Sequence, residues 1–575
     1  EKKLLDLTHY PRIRSFNKIE WIMIFIIFIV SLISVFEVLA PATSGDTLTY
    51  HFRIPFDYIF FQKVKYFESA LYNMPHLMQV IYVIPFSLGA DDIGSQLINY
   101  YICILFFILI FKMLQNFFDR QTALLTILII ILLPMFTFIK VSGRVEVGLT
   151  LFFIFGVYTL LNFLKEEKIS WLILSAIFFG YACSVKYTAL IFLIPLFSYL
   201  LFYSLIKLSD KNYKYIKYIF IFSFVCFLFS SPFYIKNYIM TGNPLYPNFY
   251  EIFGGKDWSN TLVESTKLHF ESFKKPAGEG FLGLLKSPWI LTMEGEKFIS
   301  GKNGYGFLYL AFLPIFMALG FEYFQKNKFK TFIPKSDPLY LFTWLIIFGW
   351  VFWFIFSFHR GRHLFIIFVI LSIYIALILN NKIIFKTRLF NSKFFKVMVY
   401  ILFSISSAFH LSISIFYNFN YLPVAVGIIN KDTFLDKIRP SWKHYKFVNN
   451  FLKKEDKVLH LFGHRQFYLK KDQFYPSPYF QGWIDWTKLN KVDDYYNLLK
   501  KSGFTHVIGR DIKSYHTKLD IKDSKIQNII SFNRLNFELL KKFGSIIYNK
   551  EINIPNSRTF IDFKIEKRFV LYKLK

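Results

Sequence analysis

The sequence predicts a polytopic α-helical membrane protein that carries a small α/β domain at its C-terminal end. Of the 575 residues, 54% are hydrophobic, and apolar runs recur along the chain as far as position 415. Many runs are about twenty residues long, enough for a helix rising about 1.5 Å per residue to cross roughly 30 Å of hydrocarbon. Beyond residue 420 the apolar runs become short and alternate with polar residues, so this part is predicted to lie outside the membrane.

The apolar runs, taken in order, give about eleven membrane-spanning helices. We place them at approximately residues 21–40, 95–111, 122–138, 147–164, 171–185, 190–206, 218–234, 305–321, 339–356, 364–379 and 397–415. We expect the first run to be retained as an anchor. A shorter apolar segment at 75–88 begins with proline and is either a further span or a helix at the membrane interface.

Basic residues in the short loops orient these helices. Lys and Arg accumulate in cytoplasmic loops, and the N-terminal segment holds several of them, so we place the N-terminus in the cytoplasm. A crossing at 75–88 would move Lys112, Arg120, Lys165 and Lys168 outside, whereas an interfacial helix keeps every later basic loop inside. We therefore expect an interfacial helix. The prediction is a multi-pass protein of the cytoplasmic (inner) membrane with an extracytoplasmic C-terminal domain.

Composition and motifs exclude several function classes. The formal net charge is +30, but cytoplasmic loops and anionic lipid headgroups account for basic residues in a membrane protein, so no nucleic-acid binding is expected. Cys103, Cys183 and Cys226 fall inside apolar runs and are expected to be buried. No nucleotide-binding glycine loop, zinc-ligand pair or nucleophile elbow is present in the sequence. We therefore expect neither ATP-driven transport nor a soluble nucleotide-sugar donor.

Two domains follow from this topology. Residues 1–420 are predicted to form the membrane domain, with a first external loop at 41–94 that contains interfacial helices and a long external loop at 237–303. Residues 421–575 are predicted to form the soluble α/β domain. Its expected strands and amphipathic helices are at residues 457–462, 505–509 and 545–548, and at 494–502 and 529–542.

Polar residues gather where the external ends of the helices meet the loops. Asp46 follows the first span, and a carboxylate so close to the hydrocarbon boundary is a functional candidate. Arg360 and Arg362 stand in a very short external loop, against the positive-inside bias, and guanidinium groups pair bidentately with phosphate. The pattern favours an anionic partner. Further polar residues on the same predicted face are Glu146, Lys186 and Lys236.

Other residues leave alternatives open. His51 fits either a hydrogen-bonded packing role or a substrate contact. The segment Asn243-Pro244-Leu245-Tyr246-Pro247 is mainly a turn signal, and the loop that it fixes is a candidate to close over substrate. Asp91 and Asp92 are adjacent and can bind a cation, but a solvated turn is the favoured interpretation.

Four segments, taken together, resemble the GT-C membrane glycosyltransferases, which include protein O-mannosyltransferases and the aminoarabinose transferase acting on lipid A. The resemblance covers approximately residues 18–420. Its segments are Asp46-Thr47-Leu48-Thr49-Tyr50-His51, Arg144-Val145-Glu146, Val185-Lys186-Tyr187-Thr188 and Lys236-Asn237-Tyr238-Ile239-Met240-Thr241-Gly242-Asn243-Pro244-Leu245-Tyr246-Pro247. The resemblance implies a GT-C-like fold.

The resemblance also implies that Asp46 is the catalytic base and that Glu146 is a second acidic position, which orients the acceptor or binds a cation. The chain lacks the Trp-Trp-Asp motif of oligosaccharyltransferase catalytic subunits, so block transfer to asparagine is not expected. It has Gly-Asp-Thr where mannosyltransferase-like members tend to have Asp-Glu. No cofactor is therefore certain, and a divalent cation stays open as an alternative.

Together these features predict an inverting glycosyltransferase that moves a sugar from a polyprenyl-phosphate donor to a hydroxyl on a surface glycan, lipid or exported protein. Asp46 would accept the proton of that hydroxyl. The residues expected to bind the donor phosphate are Lys186, Lys236, Arg360 and Arg362. The residues expected to contact substrate are Tyr50, His51, Arg144, Tyr187, Asn243 and Tyr246.

Two alternatives belong to other function classes. One is a transporter or flippase of a lipid-linked glycan, and the other is a non-enzymatic assembly protein for a surface polymer. Transporters are expected to have internal repeats and polar residues near the membrane midplane, whereas the polar residues here lie at the outer boundary. An assembly protein would leave the alignment of external cations and carboxylates unexplained.

Overall fold

The computed structural model describes residues 16–209, 212–272, 276–298, 304–327, 336–382, 392–439, 441–461, 465–486, 488–509, 527–551 and 568–575. Some of the basic residues that oriented the chain lie outside these ranges, among them Lys2, Lys3, Arg12 and Arg14. Within them, the chain forms a helical domain followed by a domain that contains a five-stranded sheet.

Helices of the first domain coincide with all eleven predicted spans. Eight of the described helices are long and apolar enough to cross a membrane. They are α1 (Lys18–Val38), α4 (Asp91–Phe117), α7 (Glu146–Glu166), α9 (Thr188–Ser209), α10 (Lys214–Thr241), α15 (Pro338–Phe356), α16 (Phe365–Leu379) with the preceding turn Gly361–Leu364, and α17 (Lys393–Phe419). Shorter apolar helices match the other three predicted spans: α5 (Arg120–Leu132), α8 (Ile169–Val185) and α14 (Leu308–Asn327). The predicted polytopic helical fold is confirmed.

Contacts between helix ends show which ends lie together. Asn17 and Glu20 form a capping box that begins α1, and the Glu20 carboxylate pairs with Arg120 at the start of α5 at 2.7 Å. At the other end of α1, the Ala42 N–H donates to the Asp92 carboxylate at the start of α4 over 2.8 Å. α1 therefore runs antiparallel to α4, and the segment that carries Asp46 lies at the Ala42 end.

Short helices connect α1 to α4 at this same end. They are a π-helical turn (Thr47–His51), α2 (Arg53–Phe61) and α3 (Leu77–Ser87). Near the start of α3, the Gln79 amide hydrogen-bonds His51 at 2.8 Å, and the residues after α3 lead directly to Asp92 beside Ala42. Both ends of α3 are therefore at one end of the bundle, as expected for a helix that lies along the interface.

The remaining helices of the membrane domain are short: α6 (Pro134–Ile139), α11 (Tyr250–Phe253), α12 (Asn260–Ser272) and α13 (Gly280–Met293). The last three belong to the long loop between α10 and α14. The buried Asn243 side chain shapes the start of this loop, because it accepts from Leu245 N–H at 2.8 Å and donates to the Asn248 and Gly254 carbonyls at 2.9 Å each.

The C-terminal domain is built on a mixed sheet in the order β2-β1-β3-β5-β4. Its strands are β1 (Lys457–His460), β2 (Asp472–Phe474), β3 (Phe504–Gly509), β4 (Gly544–Glu551) and β5 (Arg568–Leu574). Its helices are α18 (Leu422–Ala425), α19 (Lys431–Ile438), α20 (Trp442–Phe451), α21 (Val492–Lys501) and α22 (Gln527–Phe543). β1 is parallel to β2 and β3, while β5 is antiparallel to β3 and β4. The predicted α/β character is confirmed.

A buried arginine joins the two domains. The Arg53 guanidinium pairs with Asp57 at 2.7 Å and donates to the Leu469 and Lys471 carbonyls at 2.6 and 2.8 Å. Phe467 N–H donates to the Leu48 carbonyl at 3.0 Å. The first external loop is therefore hydrogen-bonded directly to the segment of the C-terminal domain between β1 and β2.

A second tie at this junction corrects a sequence-based interpretation. The solvated turn expected at Asp91 and Asp92 is wrong for Asp92, which is completely buried. Its carboxylate accepts from Ala42 N–H and the Tyr468 hydroxyl at 2.8 Å each and pairs with Lys431 at 3.0 Å. Asp91 is about half exposed and pairs with the same lysine at 3.0 Å. The two carboxylates connect the membrane domain to the C-terminal domain.

Candidate active site

The turn that carries Asp46 packs against the chain just before α7. The Thr47 hydroxyl donates to the Ser142 carbonyl, and Gly143 adopts a left-handed backbone with φ of 65°. A Cβ on Gly143 would overlap the Phe52 ring, so glycine is required for this close approach. The contact brings Asp46 to the N-terminal end of α7, where Glu146 is the first residue.

Hydrogen bonds to the backbone fix the loop between α15 and α16. Trp353 donates its indole N–H to the Arg360 carbonyl at 3.3 Å, and the buried Tyr305 hydroxyl donates to the Gly361 carbonyl at 3.0 Å. His359 is buried and its Nε2 hydrogen-bonds the Phe354 carbonyl at 2.7 Å. Arg362 therefore projects from a backbone whose position is well defined.

Four of the predicted site residues form one ion-pair network. Arg362 Nη2 lies 2.5 Å from Asp46 Oδ2, and Arg362 Nε lies 3.3 Å from Glu146 Oε1. Lys186 Nζ, in the junction between α8 and α9, is 3.2 Å from the same Glu146 oxygen. The side chains of Arg362 and Glu146 are 8% and 6% exposed, while Asp46 is 30% exposed. The network thus opens toward the exterior at Asp46.

Positive charge exceeds negative charge around this network. Arg144 and Arg360 interact electrostatically with Asp46 in addition to Arg362. Burial by itself would raise the pKa of Asp46, but the surrounding guanidinium groups hold it well below its usual range. Three polar atoms of these residues are buried without a hydrogen-bond partner among the described residues: Arg144 Nε, Arg362 Nε and Glu146 Oε2. The arrangement is suited to a further anion.

Tyr50 and His51 lie beside this network on the π-helical turn. Burial lowers the pKa of His51 to about 3, so its ring is neutral and bonds Gln79. The Tyr50 ring lies 4.2 Å from the His51 ring, and burial together with the Asp46 charge raises the pKa of the Tyr50 hydroxyl. Tyr50 is consequently a neutral hydrogen-bond donor. The Gln79 contact fits the packing alternative for His51.

The structure does not bring four other predicted residues into the network. α10 continues to Thr241, beyond the predicted end of its span, so Lys236 lies within the helix and its Nζ is 3.4 Å from the Asn73 carbonyl. The Tyr187 hydroxyl donates to the Tyr246 carbonyl at 3.0 Å and accepts from Asn237 at the same distance. Tyr246, like Asn243, is buried within the long loop, where it packs against Trp258.

Sequence reasoning missed one basic residue at the site. The Arg465 guanidinium lies 3.3 Å from the position that a Cβ on Gly45 would occupy, and it interacts electrostatically with Asp46. Arg465 belongs to the C-terminal domain, and no local motif marks it. His363, in the same short turn as Arg362, has its Nε2 3.5 Å from Lys186 Nζ.

The carboxylates here do not form a typical metal site. Asp46 and Glu146 are the acidic residues available, and Arg362 lies between them and pairs with both. A cation-binding site needs several carboxylate or other oxygen ligands that converge on one point, whereas these two converge on a guanidinium group. Within the described ranges, no three His, Cys, Asp or Glu residues are grouped so that they could hold a metal ion. The residues present therefore do not fit a divalent cation.

Comparisons with known proteins agree with this architecture. Residues 75–234 match the family described as dolichyl-phosphate-mannose-protein mannosyltransferase. The comparison with curated protein sequences gave no match.

Among solved structures, the chain is similar to ArnT from Cupriavidus metallidurans bound to undecaprenyl phosphate, with a TM-score of 0.54 and 11% identity over 97% of this chain and 98% of that one. The apo state of the same protein gives a TM-score of 0.52 and 11% identity over 96% and 97%. The Archaeoglobus fulgidus oligosaccharyltransferase with Zn and sulfate gives 0.50 and 12% identity over 91% and 71%. The resemblance predicted from the sequence is thus confirmed: the chain is a multi-pass membrane protein with the fold of the GT-C glycosyltransferases.

Proposed function

We propose that this chain is an inverting glycosyltransferase that moves a sugar from a polyprenyl-phosphate donor to a hydroxyl acceptor at the outer face of the cytoplasmic membrane. In this proposal the N-terminus is cytoplasmic and the C-terminal domain is extracytoplasmic. The observation that carries it is the ion-pair network that joins Asp46, Arg362, Glu146 and Lys186. Its partners would be the lipid-linked donor, a lipid, glycan or protein acceptor and membrane lipids, with no nucleic acid.

The cationic side of the network supplies the donor phosphate site. Arg362, Arg360 and Lys186 come from two separate helix junctions and surround the Glu146 and Asp46 carboxylates. When the bond from the anomeric carbon to the phosphate oxygen breaks, its electron pair stays on the phosphate, and these cations stabilise the charge that develops. The solved structure of ArnT with undecaprenyl phosphate supports a ligand of this chemistry.

Asp46 supplies the base. Its depressed pKa keeps it ionised at neutral pH, and its 30% exposure leaves it accessible to an incoming hydroxyl. A phosphate bound by Arg362 partly neutralises the positive charge that lowers the Asp46 pKa. Donor binding therefore raises this pKa and makes the carboxylate more basic. The acceptor oxygen then bonds to the anomeric carbon as its proton passes to Asp46. One displacement inverts the configuration at this carbon.

Glu146 acts as a positioning residue in this mechanism. Its Oε1 is within 3.3 Å of Arg362 Nε and 3.2 Å of Lys186 Nζ, so it holds two phosphate-binding cations in one place. It is 6% exposed, which leaves little of the side chain for substrate contact. Arg144 and Tyr50 lie on the edge of the same network and are assigned to the sugar.

The test is to incubate the purified protein with a panel of undecaprenyl-phosphate sugars and to measure released undecaprenyl phosphate. Asp46→Asn should reduce turnover by about 100-fold to 10,000-fold, the range of general-base catalysis, and still bind undecaprenyl phosphate. The matched control is Asp432→Asn, because Asp432 is about half exposed on α19 and pairs only with side chains of its own domain. Full turnover by the Asp46 variant would disprove the assignment. A flippase would move the donor without releasing the lipid phosphate.

A further inference from the structure

Two arginines of the C-terminal domain lie beside the first external loop without a matching carboxylate. Arg439 follows α19, and Arg465 begins the described segment that leads to β2. The Nε of Arg439 is buried and has no hydrogen-bond partner in the described part of the chain. The two guanidinium groups interact electrostatically with each other, and burial together with this repulsion lowers the pKa of Arg439 to about 10. Arg465 is exposed and Arg439 is partly buried, so the pair is accessible to an anion from solvent.

Another arginine at the same junction is fully paired. Arg53 is equally a junction residue, but it has Asp57 as a counter-ion and donates to two carbonyls. Arg439 and Arg465 have neither an ion pair nor a side-chain hydrogen bond in the described residues. The closest acidic influence on Arg465 is Asp46. The contrast with Arg53 points to a ligand rather than a structural role.

The position of this pair relative to Asp46 is defined by the helical turn that begins at Gly45. Gly45 and Asp46 are consecutive residues of that turn, so their side-chain directions differ by about 100°. Arg362 pairs with the Asp46 carboxylate, whereas Arg465 approaches the open face of Gly45. Ser44, the preceding residue, has a buried hydroxyl without a partner within the described ranges. Two groups of arginines therefore approach the catalytic turn from different directions.

We propose that Arg439 and Arg465 form an acceptor subsite that binds an anionic group, a phosphate or a carboxylate, carried by the molecule that receives the sugar. The inference rests on the proposed function. In a single displacement the acceptor oxygen attacks the anomeric carbon from the side opposite the departing phosphate. With the donor phosphate at Arg362, the acceptor therefore occupies the Arg465 side of the turn. Two neighbouring guanidinium groups match the oxygens of a phosphate or carboxylate bidentately.

This subsite gives the C-terminal domain a direct part in substrate selection. Glycine at position 45 leaves room for the Arg465 guanidinium, because a Cβ there would lie 3.3 Å from it. An acceptor with its anionic group on Arg439 and Arg465 would present a neighbouring hydroxyl to Asp46. A neutral acceptor would leave both guanidinium groups unpaired, and the site is therefore selective for negatively charged acceptors.

The test is arginine footprinting of the full-length protein in detergent, with phenylglyoxal as the reagent and peptide mass spectrometry as the readout. Undecaprenyl phosphate is added first to fill the carrier site. Inorganic phosphate should then slow the modification of Arg465 several-fold, whereas chloride at equal ionic strength should not. Arg534, on α22, contacts Glu538 and Asn490 of its own domain and is the internal control.

Variants separate the possible outcomes. Arg439→Gln should remove the protection of Arg465 by inorganic phosphate without changing the affinity for undecaprenyl phosphate, and Arg534→Gln should change neither. The proposal is overturned if inorganic phosphate gives no protection, or if undecaprenyl phosphate alone protects Arg465, which would assign the pair to the lipid carrier. Failure of the proposed function has a different signature, because undecaprenyl phosphate would then leave Arg360, the less buried arginine of the carrier site, unprotected.

Discussion

Two buried charged clusters lie at the junction between the domains, and they differ in how completely their charges are matched. In the first, Asp91 and Asp92 face Lys431 and Lys470, and Asp92 also accepts hydrogen bonds from Ala42 and Tyr468. In the second, the Asp46 and Glu146 carboxylates are surrounded by a larger number of cations, namely Arg144, Lys186, Arg360 and Arg362. The second cluster also contains buried polar atoms without partners.

Such a contrast separates structural from functional charge. A cluster whose charges balance and whose hydrogen bonds are complete gains nothing from a ligand, so removing one member mainly costs stability. A cluster with excess positive charge carries a cost in the free protein that an anion relieves. The first cluster is therefore expected to govern folding and the second to govern turnover.

The largest expected effect is on stability, in the first cluster, whose charges are balanced. Asp92→Ala leaves Lys431 with one carboxylate partner, removes one of the two acceptors of the Tyr468 hydroxyl and leaves the Ala42 N–H unsatisfied, which should cost about 3 to 5 kcal/mol of stability. The measurement is the melting temperature in detergent, with turnover expressed per folded molecule. Asp91→Ala is the matched control because Asp91 is 46% exposed. Equal melting temperatures for the two variants would contradict the comparison.

The next effect tests the unbalanced cluster. Arg362→Ala removes the partner of Asp46 and a donor to the leaving phosphate, so turnover should fall by about 100-fold to 1,000-fold. The melting temperature should change little, because the variant lowers the excess of positive charge. Arg534→Ala serves as the control. A large loss of stability with normal turnover would reverse the roles of the two clusters.

A smaller effect concerns the pH dependence of turnover. Burial lowers the pKa of Lys186 below its ordinary value, and the charge of Glu146 offsets only part of this shift, so Lys186 loses its proton at lower pH than an exposed lysine. Turnover should therefore fall as the pH rises, and Lys186→Arg should remove this alkaline decline. Asp46 has a depressed pKa and stays ionised down to low pH, so it adds no acidic decline above about pH 5.

The control for this pH profile is Lys168→Arg, because the Lys168 side chain is 68% exposed and pairs only with Glu166. An alkaline decline that persists unchanged in Lys186→Arg would show that another group titrates.

The smallest effect returns to the balanced cluster. Tyr468→Phe removes the hydroxyl that bonds the Ala42 carbonyl and Asp92, each at 2.8 Å, and should cost about 1 kcal/mol. The melting temperature should fall slightly and turnover per folded molecule should be unchanged. Leu539→Val, on α22, is a useful comparison because it alters the packing of a buried side chain in the core of the sheet domain. A turnover defect in Tyr468→Phe would mean that these two hydrogen bonds also position the turn that carries Asp46.

Much of the fold was predictable because membrane helices are specified locally. Each apolar run must satisfy its own backbone as a helix, so hydropathy alone locates it. The predicted spans at 122–138 and 218–234 show the limit of this signal, since Leu133-Pro134 divides the first into α5 and α6 and the second extends to Thr241. That extension places Lys236 inside α10, away from the network.

The candidate site was predictable only where its residues sit at helix ends. Asp46, Glu146, Lys186 and Arg362 were expected on one face because each follows an odd number of predicted spans, and the structure brings them into contact. Their roles remain predictions. Arg465 and the burial of Asp92 were missed, because each depends on a contact with a residue hundreds of positions away and leaves no periodicity in the sequence.

The hydrogen bonds of Arg53 to the C-terminal domain affect when the candidate site is completed during synthesis. Arg53 lies near the start of the chain, yet its carbonyl partner Leu469 lies 416 positions later. The loop that holds Asp46 therefore obtains these contacts only after the segment around Leu469 has left the ribosome. Until then the helices can insert in the membrane one after another while the reactive centre is unfinished. If the proposed function holds, synthesis itself delays activity, because the candidate site is incomplete until Leu469 is in place.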